Sequence, residues 1–498
     1  MLNRRFSLTR KLHPKALHLI FIAALLAVAL GTAPVKPVQA DPAPLAGAVS
    51  PGGLLNPDGT LDTTTGFQGA LDLRGWEVTL DGERGPLFKP VSRPAAPLIA
   101  WQALPNKGLG VQYSYEFVSA LAVSGDDLYV GGDFAQTGDG SLTALGNIAR
   151  YDTTAGTWYA LPNKGLTYES GYGSVRALTV SGDDLYVGGG FTQTGDGSLT
   201  GLGSIARYDT TAGTWHALPN QGLDVSIYGG VSALVVSGGD LYVGGVFEQT
   251  GDGTLTELGS IARYDTKAGA WHRLPNLGLN RFGSIRALVL SGDDLYVGGE
   301  FNRTGDGALT DLGNIARYDT TAGVWHALPN KGLLRSDIMG DSVETLIVSG
   351  DDLYVGGNFD KTGDGSLKDL GRIARYDTTA GAWHALPNKG LNYDVYALAV
   401  SGGDLYVGGW FSRTGDGSLT DLGRIARYDT TTGAWYALPN QGMDRGVGAL
   451  AVPGDDLYVG GQFDQTGDGS LTDLGHIARC TLVVTQVVNV YLPLVFAK

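Results

Sequence analysis

One segment governs what this chain can fold into. Asp-Leu-Tyr-Val-Gly-Gly recurs with its Leu at 128, 185, 241, 295, 353, 405 and 457. The intervals of 57, 56, 54, 58, 52 and 52 residues are too regular for chance. A period near 55 belongs to propellers, solenoids or arrays, in which a supersecondary unit buries its apolar face only against the next unit.

Within the unit from Val118 to Asn163, four apolar or alternating runs are separated by Gly/Asp/Thr clusters, which reads as four antiparallel strands. Strand a is predicted over Val118–Val123, b over Leu128–Phe134, c over Asn147–Asp152 and d over Thr157–Leu161. "SGDD" between a and b and "TTAG" between c and d suit tight turns through Gly or Asp at positive φ. Beyond residue 40 no segment carries a helical period, so the fold is all-β.

A second series is out of phase with the first. Trp-x-x-Leu-Pro-Asn also occurs seven times, at Trp101, Trp158, Trp215, Trp271, Trp325, Trp383 and Trp435, and its first copy precedes any complete unit. The last unit runs to His476–Cys480 and then loses the "TTAG" turn and the Trp strand. The strand around Trp101 supplies what is missing, so a closed seven-bladed β-propeller of four-stranded antiparallel blades is expected over 98–482. Closure also shields strand edges that would otherwise invite aggregation. The alternative is an open stack capped by Trp101, with Thr481–Val488 as its own outer strand.

A glycine doublet after an apolar strand, then Tyr-Asp, then Trp seven residues after the Tyr, as in Gly131-Gly132, Tyr151-Asp152 and Trp158, resembles the kelch repeat. The resemblance covers residues 98 to 480. Kelch proteins fold as propellers, the central domain of galactose oxidase among them, so the resemblance implies the same architecture and leaves function to be argued from a site.

If strands alternate up and down, the b–c and d–a loops share one face. The a–b and c–d turns are nearly constant between units, whereas the d–a inserts differ: "GVQYSYEF" (110–117), "TYESGYGS" (167–174), "DVSIYGG" (224–230), "NRFGS" (280–284), "LRSDIMGDS" (334–342), "NYD" (392–394) and "DRG" (444–446). Divergent loops on a rigid scaffold commonly carry recognition. Tyr113, Tyr115, Phe117, Tyr168, Tyr172, Tyr228, Arg281, Phe282 and Tyr393 are the candidate ligand-binding residues, a shallow aromatic rim suited to sugar rings or a protein surface. The competing reading is unconstrained drift, with some aromatics plugging the mouth of the ring.

Other motifs carry less. "TGDG" places Asp139, Asp196, Asp252, Asp306, Asp364, Asp416 and Asp468 in the b–c loops, but calcium-loop spacing puts Thr137 and Ala135 where further acids belong, and only Asp360 and Asp464 occupy the first position. A lone Asp of this kind usually turns its own backbone. No metal or cofactor is expected, with a weak calcium site shared between loops left open. His216, His272, His326 and His384 lie on separate blades and cannot converge on one metal. Arg150 and Asp152 are expected to pair across blades or with turns. Copper-oxidase chemistry of the galactose-oxidase kind would need His and Tyr ligands and a Cys–Tyr crosslink. The sole cysteine, Cys480, replaces the Tyr of Tyr-Asp, and the d–a loops hold no His cluster. A Ser-His-Asp elbow is likewise missing. Enzymatic activity is therefore not favoured; a lyase would have to use Tyr172, Tyr228 and Arg281.

Residues 1–40 hold six Lys/Arg and no acid: a basic head, the apolar run Ala16–Gly31 and the small-residue site Val38–Ala40, the order of a signal peptide cleaved after Ala40. An uncleaved anchor is the alternative, and Arg4-Arg5 resembles a twin-arginine signal loosely. Residues 41–498 carry 29 basic and 50 acidic residues, a formal charge of about −21, so nucleic acid and anionic lipid are not expected partners. One thiol makes no internal disulfide. Residues 41–97 read as a Pro/Gly-rich linker or extension, with 70–80 the sole strand candidate. The apolar tail 483–498 contains "YLPLV" and resembles short tails of secreted bacterial proteins; it is either a surface anchor or a packed strand. The expected function is a secreted or cell-surface propeller binding an extracellular glycan or protein through the d–a face. The alternatives are a structural envelope or matrix protein and a carbohydrate-active oxidase or lyase.

Overall fold

The computed structural model describes residues 54–56, 58–62, 76–81, 84–90, 99–110, 117–171, 173–224, 229–280, 283–336 and 340–482. Leu54 and Asp62 belong to a separate small unit, where they are joined by one backbone hydrogen bond of 2.7 Å. Everything else described lies in a single unit.

The described residues of that unit form seven four-stranded antiparallel sheets. In the first, strand a is Val118–Ser124, b is Asp127–Gly132, c is Ile148–Asp152 and d is Thr157–Ala160. Blades two to six repeat this over 174–217, 230–273, 284–327, 342–385 and 395–437. The seventh takes a from Val447–Ala451, b from Asp456–Gly461, c from Ile477–Thr481 and d from Ile99–Ala103, with Trp101 opposite Cys480. The sequence boundaries move by one or two residues because Gly125 (φ 58°) and Gly156 (φ 65°) set the turns while the strands run up to them. Ahead of the blades, Trp76–Asp81 pairs with Gly85–Pro90 as a hairpin.

The glycine doublet shows why the repeat needs its spacing. A Cβ on Gly131 would fall onto Val175 of the next blade's strand a, and a Cβ on Gly132 onto the Phe117 carbonyl just ahead of its own strand a. The first glycine admits the neighbouring blade and the second lets a and b close. The same pairing joins Gly188 to Val231, Gly244 to Ile285, Gly298 to Val343, Gly356 to Val395 and Gly408 to Val447, and Gly460 returns it to Val118. Buried side chains keep the same cycle: Val118, Leu128, Val130 and Trp158 of the first blade pack with Ala449, Tyr458 and Ile477 of the seventh.

The Trp strand makes a second cycle. Trp158 Nε1 donates to the Pro105 carbonyl at 3.1 Å, and Trp215, Trp271, Trp325, Trp383 and Trp435 bond in turn to Pro162, Pro219, Pro275, Pro329 and Pro387 at 3.0–3.1 Å. Trp101 donates to Pro439 at 3.0 Å. Each Pro-Asn segment is a single 3-10 turn whose Asn sits at positive φ, a region Asn tolerates better than most residues. In six blades the Trp also lies 4.9–5.0 Å from the Tyr of strand c.

The strand-c charges pair differently from the expectation. Arg150 bonds Asp127 on the adjacent strand b of its own blade at 3.0 Å, and Arg207, Arg263, Arg317, Arg375 and Arg427 do the same. Asp127 stands opposite Asp152 and Arg150 opposite Tyr129, so the Arg–Asp pair is a diagonal cross-strand contact within the blade. Asp152 does bond its turn, accepting from the amides of Thr154 and Ala155.

Candidate functional site

The d–a face is built from a defect repeated in every blade. Strand a loses register after its first residues, between Val118 and Ala120 in the first blade and at the equivalent place in the other six. The skipped residue is turned out of the ladder, as in a β-bulge. Val175 and Ala177 are buried around an exposed Arg176, which shows the effect. Across the blades the bulged residues are Ser119, Arg176, Ser232, Arg286, Glu344, Tyr396 and Gly448, while the residues two on are small or apolar throughout. The position after the glycine doublet varies as widely: Asp133, Gly190, Val246, Glu300, Asn358, Trp410 and Gln462. Both positions lie at the strand ends that meet the d–a loops.

From the fourth blade to the sixth these positions take part in two polar clusters. Arg286 bonds Glu300 and Glu344 at 3.1 Å each, and Glu344 also accepts from Ser342 Oγ at 2.6 Å. Arg372 lies 3.6 Å from Asp394, and Tyr396 donates to the same carboxylate at 3.4 Å. Burial raises the Asp394 carboxyl above the ordinary range, against the pull of Arg372 and Arg335. Burial, with Asp394 beside it, raises the Tyr396 phenol. Desolvation likewise raises Asp133 in the first blade.

Among the sequence candidates, Tyr393 is 55% exposed and Phe117 37%, both immediately ahead of a strand a, and Tyr168 is half-buried in the turn closed by its carbonyl and the Gly171 amide. Tyr113, Tyr115, Tyr172, Tyr228, Arg281 and Phe282 lie outside the described residues. Sequence reasoning passed over Trp410, 37% exposed, and Tyr396. Tyr396 lies in strand a and Trp410 directly after strand b, and aligning the repeats column by column would have exposed each as the one aromatic residue in its column.

The b–c loops on this face are engaged between blades. Asn106 of one Pro-Asn turn donates to Asp139 at 3.1 Å and to Ser141 Oγ at 2.9 Å in the next blade's "TGDG" loop. The other Asp139 oxygen accepts from Thr137 Oγ1, the Ser141 amide and Ser141 Oγ at 2.6–3.0 Å. The Ser141 hydroxyl and amide, joined by Asn106 and Thr137, hold this carboxyl far below the usual carboxylate range. Asp196, Asp252, Asp364, Asp416 and Asp468 are held in the same way. A cation at any of these loops would have to displace donors that join two blades. Cys480 is fully buried opposite Trp101, and burial pushes its thiol up to about 12, so it presents no thiolate at neutral pH. His216 lies on the outermost strand, 3.0 Å from Thr214 Oγ1.

No family model matches the chain. Among curated proteins it is 24% identical over 325 residues to the Kelch-like protein terF of Aspergillus terreus, covering 62% of this chain and 65% of that one. It is 33% identical over 125 residues to the polarized growth protein rax2 of Schizosaccharomyces pombe, which is 25% of this chain and 9% of the relative. The chain thus spans a small fraction of rax2 and just under two thirds of terF. Among solved structures, YCF48 bound to D1 peptide aligns with a TM-score of 0.45 at 10% identity, over 78% of this chain and 98% of that one. Among the described residues, no helix is long and apolar enough to cross a membrane. With seven four-stranded blades, a glycine doublet that seats each neighbour and a Tyr–Trp pair in six of them, the described residues form a seven-bladed β-propeller whose units are similar to the kelch repeat.

Proposed function

We propose that this propeller is a secreted or cell-surface interaction protein that captures an extracellular glycan or protein through its d–a face. One observation carries the reading: in blades that are otherwise near copies, the bulged strand-a position changes from Ser to Arg, Glu, Tyr and Gly, and it opens onto the same face as the divergent loops. A scaffold that needed only to pack would keep these positions as uniform as the neighbouring Val and Ala. The likeness to a Kelch-like protein and to polarized growth proteins supports an interaction role. The basic head, apolar run and small-residue site at the start of the sequence support export, and the acidic balance supports a partner that is not polyanionic.

The test is binding of the full chain to producing cells and to a broad glycan panel, alongside a variant carrying Phe117→Ala, Tyr168→Ala, Arg176→Ala and Tyr393→Ala together. Saturable binding weakened at least tenfold in the variant is the expected outcome. Binding that the variant leaves unchanged, or no binding at all, overturns the reading in favour of a structural envelope role.

A further inference from the structure

One substitution in the sixth blade has no counterpart in the other six. After its glycine doublet stands Trp410, where the others carry Asp, Gly, Val, Glu, Asn and Gln. The indole is exposed and yet fixed. The Trp410 backbone amide donates to the Asp394 carbonyl at 2.9 Å, and Arg424 Nη1 donates to the Trp410 carbonyl at 2.9 Å. The Arg424 guanidinium lies 5.9 Å from the ring centroid, and the ring rests so closely on Gly446 that an added Cβ would come within 2.7 Å of its Cε2. Tyr393, the most exposed large hydrophobic side chain among the described residues, precedes Asp394 on the same loop.

Arg424 is also a wall of a cleft of about 370 Å³ between the sixth and seventh blades, a size within the roughly 300–1,000 Å³ typical of small-ligand sites. Ser412, Arg413, Asp421, Gln441 and Asp444 complete the walls that matter here. The loop is held in place, since Asn392 Oδ1 accepts the amides of Ser412 and Arg413 at 3.0–3.1 Å.

Resting on the reading that the d–a face is the recognition face, we infer that Trp410 and this cleft bind a neutral pyranose ring of a glycan. The exposed part of the indole supplies an apolar surface for the C–H face of a sugar, and its immobility spares the entropy of ordering it on binding. Two guanidinium groups against two carboxylates leave no net field for an anion, and the chain's formal charge of −15 repels acidic polysaccharides. Guanidinium, carboxylate and amide groups are planar two-point partners that match vicinal hydroxyls.

The experiment is titration of the full chain with neutral oligosaccharides (malto-, cello- and mannooligosaccharides) and with polygalacturonate and heparin as acidic counterparts, for the wild type and for Trp410→Ala, Trp410→Phe, Arg413→Ala and Val324→Ala. Neutral oligosaccharide binding should fall at least tenfold in Trp410→Ala and severalfold in Arg413→Ala, and stay near wild type in Trp410→Phe and in Val324→Ala, an exposed position on an outer strand. Urea midpoints measured on the same samples show that a loss is not unfolding. Binding of acidic polymers alone, absence of neutral binding at millimolar sugar, or indifference to Trp410→Ala overturns the inference. If cells are still captured by both the wild type and Trp410→Ala, the sugar site fails while the recognition face stands; if the wild type captures nothing, both fail.

Discussion

Substituting Gly460 by Ala tests whether the seventh blade packs on the first as each blade packs on the next. Gly460 lies in strand b of the seventh blade, outside the left-handed region, so an Ala backbone is unstrained there. In an open stack its outer side would face no strand a, and Gly460→Ala would be neutral or stabilising by about 0.4–1 kcal/mol through the unfolded chain. In the ring the new methyl falls onto Val118, which is fully buried, and the substitution should cost about 1–3 kcal/mol as overpacking. Gly131→Ala, which meets Val175 in the same geometry, should cost the same. Val118→Ala removes buried hydrocarbon worth about 0.8 kcal/mol per methylene equivalent plus a cavity term, about 2 kcal/mol together. In the double variant the methyl at 460 occupies the space vacated at 118, so the pair should be less destabilising than the sum by about 1–2 kcal/mol. Urea denaturation of the wild type, the two single variants and the double variant reads the cycle. A neutral Gly460→Ala, or additivity of the two changes, would refute the contact between last and first blades.

Four further outcomes are expected. Trp271→Phe keeps the ring but removes the donor to Pro219, leaving a carbonyl without its partner, and should lower stability by about 1–3 kcal/mol in the same denaturation assay. The "TGDG" carboxyls are depressed in the folded state, so their contribution is present above the unfolded carboxylate range near pH 4 and drains away as pH falls toward the folded values; acid titration of stability should show this loss, flattened in Asp139→Asn. Asp306, whose loop carries Ala308 where others carry a hydroxyl, should be the least depressed of the seven by carboxyl NMR. Cys480, buried and shifted upward, should resist a thiol reagent at pH 8 in the native protein and react once unfolded; labelling of the native form at the unfolded rate would contradict its burial.

The residues that varied in loops were the ones sequence reasoning could single out, because divergence between long inserts is conspicuous. Phe117 and Tyr393 emerge exposed where that reasoning put them. Trp410, Tyr396 and Arg286 were hidden because each is a single replacement within or directly after a strand, where alternation alone predicts only which face a side chain takes. The register shift in strand a breaks that alternation, and a bulge has no signature in a single strand. The "TGDG" motif, similarly, invited a metal reading from composition, whereas its carboxylates are spent on donors from two blades.

By itself the sequence determined the number of units, their four strands, the all-β class and the out-of-phase Trp strand, since these depend on periodicity and local turn chemistry, which one chain displays directly. The tertiary structure alone decided what the constant residues are for. A glycine doublet reads as flexibility until the next blade's valine is seen to fill the space of the missing Cβ, and a Pro-Asn turn reads as a breaker until the neighbouring tryptophan and aspartate are seen to bond it. Those partners stand some 30 to 60 residues away in the chain, and only packing brings them within reach.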